Sequence, residues 1–365
     1  MKQGKTLEQL AAELIRIRDN SKDLLAPIQQ IGMAESGDLV AGGNLFKVNN
    51  WAHAQVSDYT EIPKAYYDRL RAEDSRLLAN NVNHGLRRIA ADATRTRKQE
   101  GRLIRTVDGT VRGFLSNRFR RLDSVDLMDA VLPPLLENGF RVESSEITDR
   151  RLYLKVLSEK IVGEVKVGDP VQFGMVISNS DVGGGSLRVE PLLMRLVCKN
   201  GMITNAALKS YHIGKKLGEG DGLEELLSDR TKELEDGAFW AKVNDVVRNS
   251  MRRDIFEAEL DRLKVSAGLP IIDLDLPRVV ELAARKMGFA QEGVKKSILH
   301  ALASGNEGAG LTQWGLANSF TRAAQAEGVD YDLATDLERA GGKIIELTRK
   351  DWAAISATGT THAVA

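Results

Sequence analysis

The chain has 365 residues, 42% of them hydrophobic and 28% charged, with 51 basic side chains balanced by 51 acidic ones and a single cysteine. That apolar content supports a sizeable interior, and the length suits two lobes or one core with a helical appendage, which excludes a disordered or uniformly polycationic chain. No apolar run approaches the roughly 18 residues of a membrane span, and MKQGKTLEQL carries no hydrophobic signal core, so a cytoplasmic protein without membrane contact is expected.

Thr6 and Gln9 form a capping-box pattern, and Leu7, Leu10, Ala11, Leu14 and Ile17 follow at helical spacing, predicting a helix over 6–20. Glycines 37–43 break the chain, Phe46 to His53 is a short strand candidate, and Ile62-Pro63 opens a helix with proline in its permitted first turn. A second helical segment from Ser75 to Lys98 grows steadily more basic. Residues 102–121 turn strand-like around Asp108-Gly109, a two-residue hairpin signal. Ser124 caps a helix through Glu137 that Gly139 ends, and strands are expected over Phe140 to Ile147, Leu152 to Leu157, Val171 to Ile177 and Ser186 to Cys198. Beyond Asn205 apolar positions recur at helical spacing from Leu223 to Leu263, Leu276 to Phe289, Leu311 to Ala326 and Tyr331 to Leu347, before a loose tail, WAAISATGTTHAVA.

These elements predict an α+β fold: an antiparallel sheet with helices covering one face, followed by an all-helical C-terminal lobe. The divisions expected are 1–39, an N-terminal helix and linker; 40–204, a basic β-rich core; 205–350, an acidic helical lobe; and 351–365, a flexible tail. Charge is split accordingly, with 33 Lys+Arg against 26 Asp+Glu in residues 1–217 and 18 against 25 in residues 218–365. Such segregation suits polyanion binding by the basic half or head-to-tail assembly between unlike halves.

The densest basic stretch runs from Leu86 to Arg121, with eleven Lys+Arg against three acids. With Asp108-Gly109 as the loop, Arg105 falls opposite Arg112 and Leu103 opposite Phe114, and strand alternation adds Ser116, Arg118 and Arg120 to the same face. Like charges facing each other on a sheet repel, and an anionic ligand would relieve that. Arginines around an exposed Phe are the composition of a single-strand groove, guanidinium groups tracking phosphates while a ring stacks a base. The competing reading places Ile104, Val111, Leu115 and Phe119 in the core and the arginines on a solvated face or paired with the acidic half.

Asn179-Ser180-Asp181-Val182-Gly183-Gly184-Gly185 could present backbone N–H groups to a phosphate, although it lacks the Lys-Ser/Thr of a P-loop, and a bend between paired strands also explains it. Asn200-Gly201 ends the next strand, and Lys209, Tyr211, His212, Lys215 and Lys216 form a second basic patch. The five histidines, His53, His84, His212, His300 and His362, never sit at the spacing of a helical metal site. Carboxylate pairs such as Glu224-Glu225, Glu233 with Glu235 and Asp273 with Asp275 suit solvated faces, Trp314 suits a core helix, and Cys198, inside an apolar run, reads as a buried inert thiol.

Several ordered blocks carry a resemblance: Trp51-Ala52-His53-Ala54-Gln55, Ile62-Pro63-Lys64-Ala65-Tyr66-Tyr67, Gly113-Phe114-Leu115-Ser116-Asn117-Arg118-Phe119, Asn179-Ser180-Asp181-Val182-Gly183, Thr312-Gln313-Trp314-Gly315-Leu316-Ala317-Asn318 and Leu337-Glu338-Arg339-Ala340-Gly341-Gly342. With the run from Val171 to Met202, they resemble an uncharacterised family of phage- and plasmid-borne proteins, those carrying domain of unknown function 932, over residues 40–347. The triple glycine after Val182 departs from that pattern. The resemblance implies a setting in phage or plasmid biology and brings no catalytic residue.

Together these readings lead to an expected single-stranded nucleic-acid-binding protein of phage or plasmid DNA metabolism, with DNA as the partner and an oligomeric strand-annealing protein as the more specific form. Arg105, Arg112, Arg118 and Arg120 would neutralise phosphates, Phe114 would stack, Asn179 and Ser180 would lie along the groove, and Lys215 and Lys216 would extend it. No cofactor, metal or catalytic residue is expected. One alternative is a non-catalytic scaffold assembling through unlike-charged lobes, marked by arginines paired with acids such as Glu224, Glu225, Glu233 and Glu235. Another is a nucleotide- or nucleic-acid-processing enzyme gathering His53, His84 or His212 with acids.

Overall fold

The structure, a computed structural model, describes residues 1–96, 101–204, 229–305 and 308–357. Its fold is α+β, with two largely antiparallel sheets, covering helices and a helical C-terminal region. Helix α1 (Leu7–Asn20) starts as expected, because Thr6 accepts from the Gln9 N–H while the Gln9 side chain accepts from the Thr6 N–H.

The first sheet contains β1 (Ser21–Pro27), β2 (Ile31–Met33), β3 (Leu39–Ala41), β4 (Asn44–Val48), β5 (Gly101–Val107) and β6 (Thr110–Ser116), in the order β1-β5-β6-β4-β3-β2. Three helices, α2 (Asn50–Tyr59), α3 (Lys64–Glu73) and α4 (Ser75–Thr96), pack on it. Ile28, Met33, Leu39, Ile104, Val111 and Phe114 meet Val56, Tyr67, Leu70, Leu78 and Val82 in a core of their own. The expected linker within 1–39 is therefore largely strand. The strand expected to run to His53 stops at Val48, because Asn49 accepts from the Ala52 N–H at 2.8 Å and starts α2.

After α5 (Ser124–Glu137) comes the second sheet: β7 (Phe140–Ile147), β8 (Leu152–Glu164), β9 (Pro170–Asn179), β10 (Arg188–Arg195) and β11 (Asn200–Ile203), antiparallel in the order β11-β10-β9-β8-β7. Both its faces are covered, rather than the one expected. Leu152, Leu154 and Val156 join a core with Leu10 and Leu14 of α1 and Leu127, Val131 and Leu135 of α5. Alternate residues point the other way, where the Tyr153 hydroxyl donates to Asp332 at 2.6 Å and Lys155 pairs with Glu338 at 2.5 Å.

Those acids lie on α11 of the helical region, which comprises α6 (Asp229–Ser250), α7 (Arg253–Ala267), α8 (Leu276–Met287), α9 (Glu292–Ala303), α10 (Gln313–Ala323), α11 (Tyr331–Ile345) and α12 (Arg349–Ser356). Helix α11 lies so close to β11 that a Cβ on Gly342 would overlap the Ile203 carbonyl oxygen. The boundary expected at 204 thus separates no independent lobe: the C-terminal helices share one core with the second sheet. Trp314 is buried within that core as expected, its indole N–H donating to Asp169 at 3.0 Å. The expected tail begins with helix α12, which buries Trp352 and Ile355. Among the described residues, no helix is long and apolar enough to cross a membrane.

Candidate functional site

Asp108 and Gly109 both take positive φ, 49° and 74°, and make the expected two-residue turn, with Val107 opposite Thr110 and Thr106 opposite Val111. The register then shifts: Arg105 pairs with Gly113, leaving Arg112 as the extra residue of a β-bulge. A one-residue shift moves every later side chain to the other face. Phe114 therefore stands opposite Ile104 rather than Leu103, and its ring is buried in the first core, edge-on to Tyr59. The expected stacking surface is absent from this face, since Phe114 is only 1% exposed.

The arginines of the hairpin are equally committed. Arg105 is 4% exposed, donates to Asp23 at 3.0 Å, to Asp123 at 2.7 Å and to the Asp181 carbonyl at 2.9 Å. Burial alone would lower its pKa, but the bonded carboxylates of Asp123 and Asp23 outweigh it and hold the guanidinium above its ordinary value. Arg112 donates to Asp181 at 2.8 Å. Arg120 grips Asp236 of α6 and lies over the Phe239 ring. The expected Arg105–Arg112 opposition is replaced by two guanidinium groups serving different carboxylates around one bend. Of the predicted phosphate contacts on the hairpin, only Arg118 is exposed and makes no ion pair with a described residue. Lys215, Lys216 and His212 lie outside the described residues.

Asn179 and Ser180 are buried, not open contact residues. Asn179 donates to the Leu122 carbonyl at 2.8 Å, and the Ser180 hydroxyl donates to the Arg150 carbonyl at 2.7 Å while accepting the Gly184 N–H at 2.6 Å. Their side chains shape the bend from within, so that Gly183 and Gly185, at φ 73° and 142°, form its exposed rim. The N–H groups of these two glycines have no hydrogen-bond partner among the described residues.

Three separate sequence blocks converge on this bend. Trp51 Nε1 and Gln55 Nε2, one turn apart on α2, both donate to the Val182 carbonyl at 2.8 Å. Gln55 Oε1 accepts the Phe114 N–H at 2.7 Å, which ties the bend to β6. A Cβ on Gly183 would press on Leu115.

A cluster that the sequence reading missed lies on the far side of the bend. Arg151 is 9% exposed, and its Nε donates to the Gly184 carbonyl at 2.7 Å, yet it has no carboxylate partner among the described residues. Burial holds its guanidinium below the ordinary arginine range; Tyr153 opposes this, and Arg339, Arg150 and Arg188 add to it. Arg150 lies over the half-buried Trp51 ring at 5.1 Å and makes no ion pair with a described residue. Arg188 reaches Glu190 only at 4.0 Å, because Arg339 already holds that carboxylate with bonds of 2.7 and 3.1 Å. Most of the nearby acids are engaged: Glu190 and Asp336 by Arg339, Asp332 by Tyr153, Asp181 by Arg112 and Ser124; Asp149, next to Arg150 in the chain, is exposed and makes no ion pair with a described residue. Positive charge is left over beside an exposed glycine rim and a tryptophan. No short motif announces it, because Arg150, Arg151 and Arg188 come from two separate strand ends.

Among the described residues, the histidines do not gather. His53 is buried on α2, 2.8 Å from the Tyr67 hydroxyl, and burial pushes its pKa down to about 4; His84 is exposed on α4. Among the described residues, no three of His, Cys, Asp and Glu are grouped to hold a metal ion. Cys198 is buried beside Arg195, 3.6 Å from its Nη1. No family model, curated protein or solved structure matches the chain.

Proposed function

We propose that this protein binds single-stranded nucleic acid, DNA in the first place, through the arginine cluster at the glycine bend rather than through the hairpin arginines. The observation that carries the reading is Arg151, a buried guanidinium without a carboxylate partner among the described residues, next to Arg150 and Arg188 and behind the exposed rim of Gly183 and Gly185. Burying a charge without a counter-ion is costly, and a phosphate at the rim supplies one through charge-assisted hydrogen bonds. Trp51, packed on Arg150, adds a flat apolar surface of the kind on which unpaired bases stack. Arg118, exposed at the end of β6, extends the positive surface.

The resemblance to the phage- and plasmid-borne family is part of the same proposal and rests on the sequence blocks, which supply the cytoplasmic DNA-metabolism setting. Strand annealing by a homo-oligomer is its more specific form. The test is fluorescence anisotropy of a labelled single-stranded oligonucleotide across a salt series. Three phosphates neutralised by Arg150, Arg151 and Arg188 give a log–log slope of about −2, at roughly 0.7 per charge. No binding at low salt overturns the reading.

A second reading, a non-catalytic scaffold, draws on the tie between Arg120 and Asp236, which joins the end of the basic hairpin to α6 of the acidic half. In that reading the basic stretch serves cohesion between unlike-charged segments, and sedimentation shows an oligomer that dissociates with salt while nucleic acid does not bind.

A further inference from the structure

The acidic half contains a basic cleft unrelated to the bend. Residues 218–365 carry 18 Lys+Arg against 25 Asp+Glu, and many of its cations are neutralised locally: Lys286 by Asp351, Lys264 by Asp261, and Lys295 by Glu281 and Glu292. Lys296, the very next residue, makes no hydrogen bond or ion pair through its side chain with a described residue, and neither do His300 and Arg322.

These three side chains line one open cleft of about 750 Å³ between α9 and α10, and among the described residues none that lines it is acidic. Lys296 and His300 stand one helical turn apart on α9, so both face the same side, and Arg322 comes from the last turn of α10 opposite them. Asn200 of β11 is buried at the base, with its Oδ1 accepting from Gln325, which leaves its amide NH2 as a donor. Like charges brought together in an otherwise acidic surface repel one another, and a dianion removes that repulsion.

We propose that this cleft binds the phosphate of a small phosphorylated molecule, with Arg322 and Lys296 as the charged contacts and His300 and Asn200 as further donors. The volume fits a small-molecule ligand, such sites spanning about 300–1,000 Å³. A planar guanidinium opposite an ammonium group matches a phosphate that presents oxygens on two sides.

Isothermal titration calorimetry of the full chain with inorganic phosphate and, separately, with a nucleoside 5′-monophosphate tests this. The expected result is saturable binding that Arg322→Ala and Lys296→Ala each weaken by about tenfold or more, the loss of one charge-assisted contact. Arg322→Lys keeps part of the affinity, and Lys286→Ala, whose charge lies elsewhere and is already paired, keeps all of it. Tighter binding of the nucleoside monophosphate identifies a phosphate ester as the ligand, and equal binding identifies the free anion; either supports the site. Absence of heat with both ligands, or an Arg322→Ala isotherm identical to that of the parent chain, overturns it. Circular dichroism of each variant confirms that these exposed substitutions leave the fold intact.

Discussion

Arg112 donates to the Asp181 carboxylate at 2.8 Å, joining the bulge of the basic hairpin to the glycine bend 69 residues later. The other oxygen of that carboxylate accepts from the Ser124 hydroxyl at 2.6 Å, and the Asp181 carbonyl accepts from Arg105. The hairpin arginines thus hold the two sheets together. Arg112→Ala should destabilise the chain by about 2 kcal/mol, because it leaves the largely buried Asp181 carboxylate without its cation, and Arg105→Ala by about 3 kcal/mol, because it removes a buried guanidinium from Asp23, Asp123 and the Asp181 carbonyl and leaves Asp23 to Arg121 alone. Urea unfolding monitored by circular dichroism measures both, and the slopes of oligonucleotide binding against salt should stay those of the parent chain.

Lys155 and Glu338 form an ion pair with no solvent exposure on either side. Burial pushes the Lys155 ammonium down and Glu338 pulls it back up. Lys155→Met or Glu338→Leu alone should cost about 3–5 kcal/mol, whereas the double substitution should come close to the parent chain, since a well-packed apolar pair replaces a desolvated ionic one. A double-mutant cycle in urea checks this, and additive losses would show that packing rather than charge dominates there.

His53 gives a pH dependence of definite sign. Its pKa falls from 6.5 in the unfolded chain to about 4 in the folded one, so below pH 6.5 the unfolded state takes up the proton first. The stabilisation is complete above pH 6.5 and is lost as pH falls towards 4, with a ceiling of about 3 kcal/mol. Melting temperatures of the parent chain and of His53→Gln across pH 7.5 to 4 should converge at the acidic end, allowing for the carboxylates that titrate in both.

Much of the fold is written locally. The Thr6–Gln9 box, the Asp108-Gly109 turn and the positive φ of Gly139 are short-range signals, and the elements they delimit stand where the sequence places them. The bulge at Arg112 is not written that way. It arises where β6 must both pair with β5 and let Gly113 pass under Val182, a contact between residues 69 positions apart that periodicity cannot express. Everything inferred about the face of Phe114 depended on that single register step. The strands of β1 to β3 were hidden by their shortness and by Pro27, and α9 by the few apolar positions it needs for its buried side. The arginine cluster at the bend is invisible for a related reason: Arg151 looks like any turn arginine until Glu190 and Asp332 are seen to be taken by other partners.

The most direct measurement compares two sets of variants in one oligonucleotide-binding assay: Arg150→Ala with Arg151→Ala and Arg188→Ala on one side, Arg112→Ala on the other. The bend triple should lose binding at moderate salt and flatten the log–log slope by about 2, at roughly 0.7 per phosphate contact. Its melting temperature should stay close to that of the parent chain, because relief of repulsion between guanidinium groups offsets the lost bond from Arg151 to the Gly184 carbonyl. Arg112→Ala should bind as the parent does while melting earlier. Unchanged binding by the triple, with affinity lost in Arg112→Ala at temperatures where that variant is still folded, would contradict the account and return the site to the hairpin.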